Sequence, residues 1–165
     1  MTKSLLDNHI CNGDTAALYS LLLFNAARLS ARLNNSGDLL DIEKQDRTLW
    51  DRDLIALGHY YFSRSQDQGE ISSYHFEAAI AYLHCRAKSF ADTDWPTITQ
   101  LYTRLLQGNP NPFISLNYAI ALYYAGQKDS AFVVLEELRK TFLDQYFILH
   151  ATFGKLYLLL SLIHI

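Results

Sequence analysis

The chain has 165 residues and a mass of 18.9 kDa, room for one domain with a sizeable core. Half of the residues are hydrophobic and 19% are charged, which excludes intrinsic disorder, and a net charge of −3 is a poor footprint for a surface that grips nucleic acid. Two cysteines, Cys11 and Cys85, make no disulfide scaffold and have no metal-type spacing.

Met1 to Asp14 has one lysine and no apolar run of signal-peptide length, so it reads as a lead-in to a single helical-repeat-like domain over residues 15–165. From Thr15 to Leu33, the positions Leu18, Leu22, Ala26, Leu29 and Leu33 form a stripe at helical spacing. The run Asn34-Asn35-Ser36-Gly37-Asp38 predicts a turn, and Leu39, Leu40 and Ile42 form a short connecting stretch that can be extended. A second helix is expected from near Asp46 or Thr48, with Thr48 and Asp51 resembling a capping box. Its apolar face would run through Trp50, Leu54, Leu57 and Tyr61, with Gly58 permitting a close helix approach. After a loop over 65–70, a third helix spans about Ser73 to Lys88, with Phe76, Ile80, Leu83 and Ala87 on one side.

Asp94 is placed to cap a fourth helix with Pro96 in its first turn and Ile98, Leu101, Tyr102 and Leu105 buried. Gly108-Asn109-Pro110-Asn111-Pro112 is the clearest break, and Asn111 as cap with Pro112 at the first position opens a fifth helix that ends near Gly126. A sixth spans about Asp129 to Phe142 and a seventh starts near Gln145. The last apolar window, Leu156 to Ile165, is about half the length of a membrane span and reads as a buried helix.

These elements predict an all-α fold of about seven helices, arranged as stacked antiparallel hairpins. The small residues Ala119 and Ala121 before Gly126, with Ala131 after it, resemble the tetratricopeptide repeat, where small side chains let paired helices pack closely.

Chemistry is harder to find. None of His9, His59, His75, His84, His150 and His164 forms the helical pair with a glutamate that marks a zinc site, and no phosphate-cradling or nucleophile-elbow motif occurs. Asp92 and Asp94 are most simply helix-start partners. Gln45-Asp46-Arg47, between two apolar elements and leading into Trp50, reads either as a helix-start polar network or as a ligand contact. Tyr60, Tyr118 and Tyr124 flank the stripes, where edge aromatics suit protein binding. No catalytic, cofactor or metal residue is expected.

In order, the chain carries QDRTLWD at 45–51, AAIAYLHCRA at 78–87, DTDW at 92–95, LYTRLL at 101–106 and LNYAIALYYAG at 116–126. This set resembles the C-terminal helical extension of bacterial extracytoplasmic-function-type RNA polymerase sigma factors, over about residues 15–160. The resemblance implies a tetratricopeptide-like extension that regulates sigma activity through protein contacts. Tyr118 follows Asn117 where that family commonly has arginine, and no basic recognition helix or helix-turn-helix context is present. The expectation is therefore an isolated piece of such a protein, cut short at its C-terminus before the last hairpin is complete. Its function would be that of a cytoplasmic, non-enzymatic regulatory domain that docks on sigma domains, RNA polymerase or another regulator without reading DNA or touching membrane. Gln45, Asp46, Arg47, Trp50, His75, Asp94, Trp95 and Asn117 are the candidate groove residues. The alternatives are a stand-alone helical-repeat adaptor and, from another class, an α-helical enzyme using Asp46, Asp92, Asp94 or His75 as acid or base. The final segment, rich in Leu, Phe and Tyr, is expected to leave an apolar surface open to self-association.

Overall fold

Asn12 opens the first helix: its side-chain oxygen accepts the Thr15 backbone N–H at 2.9 Å, and α1 follows over Gly13–Ala26. The computed structural model describes residues 12–161 apart from 35 and 68, and all their side chains but those of 142, 143, 160 and 161. Cys11, His9, His164, Leu162 and Ile163 lie outside the described residues. Six further helices follow: α2 (Arg52–Ser65), α3 (Ser73–Arg86), α4 (Trp95–Gly108), α5 (Pro112–Tyr124), α6 (Lys128–Leu138) and α7 (Phe147–Ser161). Short 3-10 turns occupy Leu29–Ala31, Arg47–Leu49 and Phe142–Gln145. The fold is all-α, and among the described residues the one β-type pairing is an isolated bridge between Leu33 and Leu39. Among them, too, no helix is long and apolar enough to cross a membrane.

The array expected over 15–165 is built as two compact units, which meet in sequence between Asp94 and Trp95. In the first, α1 packs on both α2 and α3. The face of α1 that does this is not the leucine stripe. Ala16, Ala17, Ser20, Leu23 and Phe24 are buried on that face, with Ala27 and Ala31 buried just beyond the helix end, while Leu22 is 49% exposed and Leu29 and Leu33 lie outside the helix and face solvent. The segment is apolar on almost every side, so periodicity does not select a face. Close approach selects it instead, because small side chains let two neighbours reach the backbone. Gly58 of α2 shows how tight the approach is. An added Cβ there would lie 2.7 Å from the fully buried ring of Phe24.

Two further expectations are corrected here. No Thr48–Asp51 capping box forms. Asp46 caps the 3-10 turn through Thr48 N–H, and Asp51 caps α2 by accepting the N–H groups of Asp53 and Leu54. Trp50 consequently sits in extended backbone before α2, and Leu57 faces outward, so the stripe Trp50–Leu54–Leu57–Tyr61 does not exist as a helix face. The turn at 34–38 does form, with Asn34 Oδ1 accepting two backbone N–H groups and Gly37 at φ 84°.

In the second unit the expected breaks at 108–112 and at Gly126 are present, while α6 stops at Leu138, short of the Phe142 expected. Asn111 caps α5 by accepting Phe113 N–H, and Pro112 occupies its first position. At the other end Gly126 takes φ 84°, its N–H bonds Tyr123 O at 3.1 Å, and Gln127 N–H bonds Leu122 O at 2.9 Å. That double closure is the Schellman arrangement, which turns the chain directly into α6. Ala119, Ala121 and Ala131 are buried in the resulting hairpin. Its core continues through Leu116, Leu122, Leu135 and Leu138 to Leu149 and Leu156 of α7. Of the stripe expected on α4, Ile98 and Leu105 are buried, while Leu101 and Tyr102 are only half-buried.

Candidate functional site

The QDRTLW segment is where chemistry-bearing residues converge in the first unit, and the long passage between α1 and α2 puts them there. Asp51 N–H bonds Ala27 O at 2.9 Å and Ser30 Oγ bonds Leu49 O at 2.6 Å, which ties residues 47–51 to the end of α1. Trp50 thereby enters the core beside Phe24, Ala31, Ala81 and Cys85 with 2% of its surface exposed. Two guanidinium groups lie over its indole, Arg47 at 4.5 Å and Arg28 at 5.4 Å from the ring centroid.

Polar groups order this cluster. Arg47 Nη1 donates to His84 O and Ala87 O, which are orphan carbonyls at the end of α3. Arg28 Nε donates to Gln45 Oε1 at 3.4 Å, and buried Gln45 donates to Leu40 O at 3.0 Å. Arg32 donates to Asn25 Oδ1, and Arg52 to Arg47 O. Arg47 Nη2 and Arg32 Nε are enclosed without an acceptor among the described residues, as is Trp50 Nε1.

Burial lowers the pKa of both Arg28 and Arg47 and pushes His84 down to about 4, with the Arg28 and Arg47 charges adding to the effect on His84. His84 is therefore neutral at physiological pH. Burial pushes the Cys85 thiol up to about 11 even though the arginines oppose it. A protonated, enclosed thiol is a poor nucleophile. Among the described residues, no group of three His, Cys, Asp or Glu is arranged to hold a metal ion.

The eight candidate residues divide between the units: Gln45, Asp46, Arg47, Trp50, His75 and Asp94 lie in the first, Trp95 and Asn117 in the second. Gln45, Arg47 and Trp50 share the cluster. Asp46 belongs to the same segment, but its exposed carboxylate is held by Thr48, whose hydroxyl and backbone N–H keep it below the usual range. His75 stands near the start of α3, whereas the arginines meet the end of that helix. It is 4% exposed, accepts Ser72 N–H at Nδ1 and bonds Ser65 O through Nε2, so it pins the end of α2 to the start of α3. Asp14 lies 3.8 Å from Nδ1, an ion pair only when the ring is protonated. Asp94 is exposed immediately before α4. In the second unit Trp95 is buried and stacks on Tyr124 at 4.9 Å, and Asn117 is exposed on α5. Sequence reasoning missed Arg28, Arg32, His84 and Cys85 as members of the cluster. Arg28 precedes Gln45 by 17 residues and Arg47 precedes His84 by 37, separations without a local signature.

The second unit offers surface rather than polar chemistry. A cavity of about 450 Å³ opens between Pro110, Pro112 and Ser115 on one side and Val133, Val134 and Leu138 on the other. On α7, Phe147 is 84% exposed, and Ile148, Tyr157 and Leu158 are also exposed, while Leu149 and Leu156 are buried. The last described helix therefore packs one face and leaves another apolar face open, as expected from its composition.

Residues 1–66 match a family model described as a family of unknown function (DUF6596), a span that contains α1, the whole QDRTLW segment and α2. An uncharacterized protein of Rhizobium meliloti (strain 1021) is 34% identical over 156 residues, which is 94% of this chain and 37% of that protein. The chain thus spans little more than a third of the length of the curated relative it matches. No solved structure matches it.

Proposed function

We propose that the chain is a non-enzymatic regulatory domain of a sigma-factor-like transcription regulator, acting in transcription initiation through protein contacts in the cytoplasm. The single observation that carries the interaction reading is the apolar surface of the second unit. Phe147, Ile148, Tyr157 and Leu158 stand exposed on one helix, and Val133 is exposed at the rim of the 450 Å³ cavity. Solvated apolar side chains in this number on one short unit are what a partner interface presents. The transcription half rests on the resemblance carried by QDRTLWD, DTDW and LNYAIALYYAG. Partners of that reading are promoter-recognising sigma domains, RNA polymerase or another regulator, and the net charge of −3 is unsuited to direct promoter binding.

Titration calorimetry of the purified chain against extracytoplasmic-function sigma domains and against core RNA polymerase tests the proposal. Saturable binding to one of them, weakened by Phe147→Ser and Leu158→Ser, is the expected result. Light scattering across a concentration series, run in parallel, separates partner binding from association of copies through the same helix. Binding to neither partner, or sequence-selective binding of the chain to promoter DNA, would count against the reading.

A further inference from the structure

The geometry points to an oxyanion-binding site on the first unit, in which Arg28 supplies the direct contact and Arg32, Arg47 and Arg52 supply the surrounding positive field. The ligand is a carboxylate or phosphate group. This inference is independent of the transcription reading.

Several observations converge on it. Arg28 and Arg47 lie against one indole; the positive charge of Arg32 bears on Arg28 and that of Arg52 on Arg47. The chain has seventeen acidic residues, yet among the described residues none of the ion pairs takes in any of these four arginines. Asp46 and Asp51, the two carboxylates in the same segment, are committed to Thr48 and to the first N–H groups of α2. Asp92 is felt by Arg47, but it is bonded to Ser89 and is not among its ion-pair partners. Among the described residues the ion pairs join Arg139 to Glu136 and Asp144 and Lys140 to Glu137, and, where the rings are protonated, His75 to Asp14 and His150 to Asp144. None involves the four arginines.

The donors are also arranged for a ligand. Arg28 uses only Nε internally, on Gln45, and neither of its Nη groups bonds a described residue or is fully enclosed. Two parallel N–H vectors on a planar fork match the two oxygens of a carboxylate or phosphate. The indole face and Gln45 hold that fork in place, so little side-chain freedom is lost on binding. Half-burial strengthens the attraction by lowering the effective dielectric around the charges.

The test is a titration of the full chain with sodium phosphate and, separately, with sodium acetate, each at constant ionic strength against sodium chloride. The Arg28 Nε–H and Trp50 indole N–H signals are followed by NMR. A saturable shift of these signals with phosphate alone identifies a phosphate ligand, with acetate alone a carboxylate ligand, and with both an unselective oxyanion site. Arg28→Met should weaken binding roughly tenfold or more, and Arg28→Lys, which keeps the charge and loses the fork, should weaken it less. Arg64→Met, remote on α2, should leave it unchanged. If neither anion gives a saturable shift in the wild-type chain, the inference is overturned. Retention of full affinity by a folded Arg28→Met protein overturns it equally.

Discussion

In the second unit the chain turns back within residues 109–111 and again within 125–127, whereas in the first it travels through residues 27–51 between α1 and α2. The consequences differ. The second unit is held by neighbouring helices whose leucines and alanines meet across tight turns, so local sequence and tertiary packing agree. The first is held by side-chain hooks: over long separations Arg47 onto the end of α3 and Cys85 toward Phe24 O, and over a shorter one His75 onto the end of α2. Two segments can thus reach similar helical content with very different reliance on single side chains. A motif that looks like a binding signature can be mainly a structural clasp.

The chain has two tryptophans, one in each unit, which makes this contrast measurable. The largest effect is expected from Trp50→Ala, about 3–5 kcal/mol of destabilisation in denaturant unfolding, the range for removing a buried aromatic. Trp95 fluorescence then reports on the second unit alone. If the units unfold separately, its midpoint stays put while helical signal is lost early, and a shared shift would show that they unfold as one.

Acid should act on the same cluster. Folding holds His84 at about 4 against an ordinary 6.5, so the unfolded chain takes up the proton first. Stability is therefore full above about pH 6.5 and falls as the pH drops toward 4, by roughly 2–3 kcal/mol from this group. Comparing unfolding midpoints of wild type and His84→Gln over that range isolates the contribution. An unchanged pH slope in the variant would remove His84 from the account.

Gly58→Ala tests the close approach of α2 to α1. Alanine is the better helix former, yet its Cβ would meet Phe24 at 2.7 Å, so a loss of about 1–3 kcal/mol is expected. Combining it with Phe24→Leu should recover part of that loss, and simple additivity would argue against direct contact. The smallest effect is reserved for Leu22→Ser. A change within about 0.5 kcal/mol agrees with its exposed position, and a core-sized loss would restore the leucine stripe.

Much of the fold was legible because it is written in short-range chemistry. Asn111 and Pro112 start a helix, Gly126 ends one, and Asn34 with Gly37 makes a turn through bonds spanning only a few residues. The apolar pattern of α4 likewise has one dominant face, with Ile98 and Leu105 buried on it. The candidate site was legible only in part. Gln45, Arg47 and Trp50 stood out as an unusual group, but their partners Arg28, His84 and Cys85 carry no local mark.

The amino-acid sequence by itself determined the helical class, the main breaks and the Asn111–Pro112 helix start, since these depend on backbone preferences and on groups within a turn of one another. Tertiary structure decided which face of α1 is buried, because a segment apolar on every side has no preferred orientation until α2 and α3 press against it. It also decided what the Gln45–Trp50 segment does. Arg47 finds the carbonyls of His84 and Ala87 only once α3 is in place, and Arg28 becomes a half-buried cation only when Trp50 is folded beneath it. Burial and electrostatics are properties of neighbourhoods, and here those neighbourhoods join residues far apart in the chain.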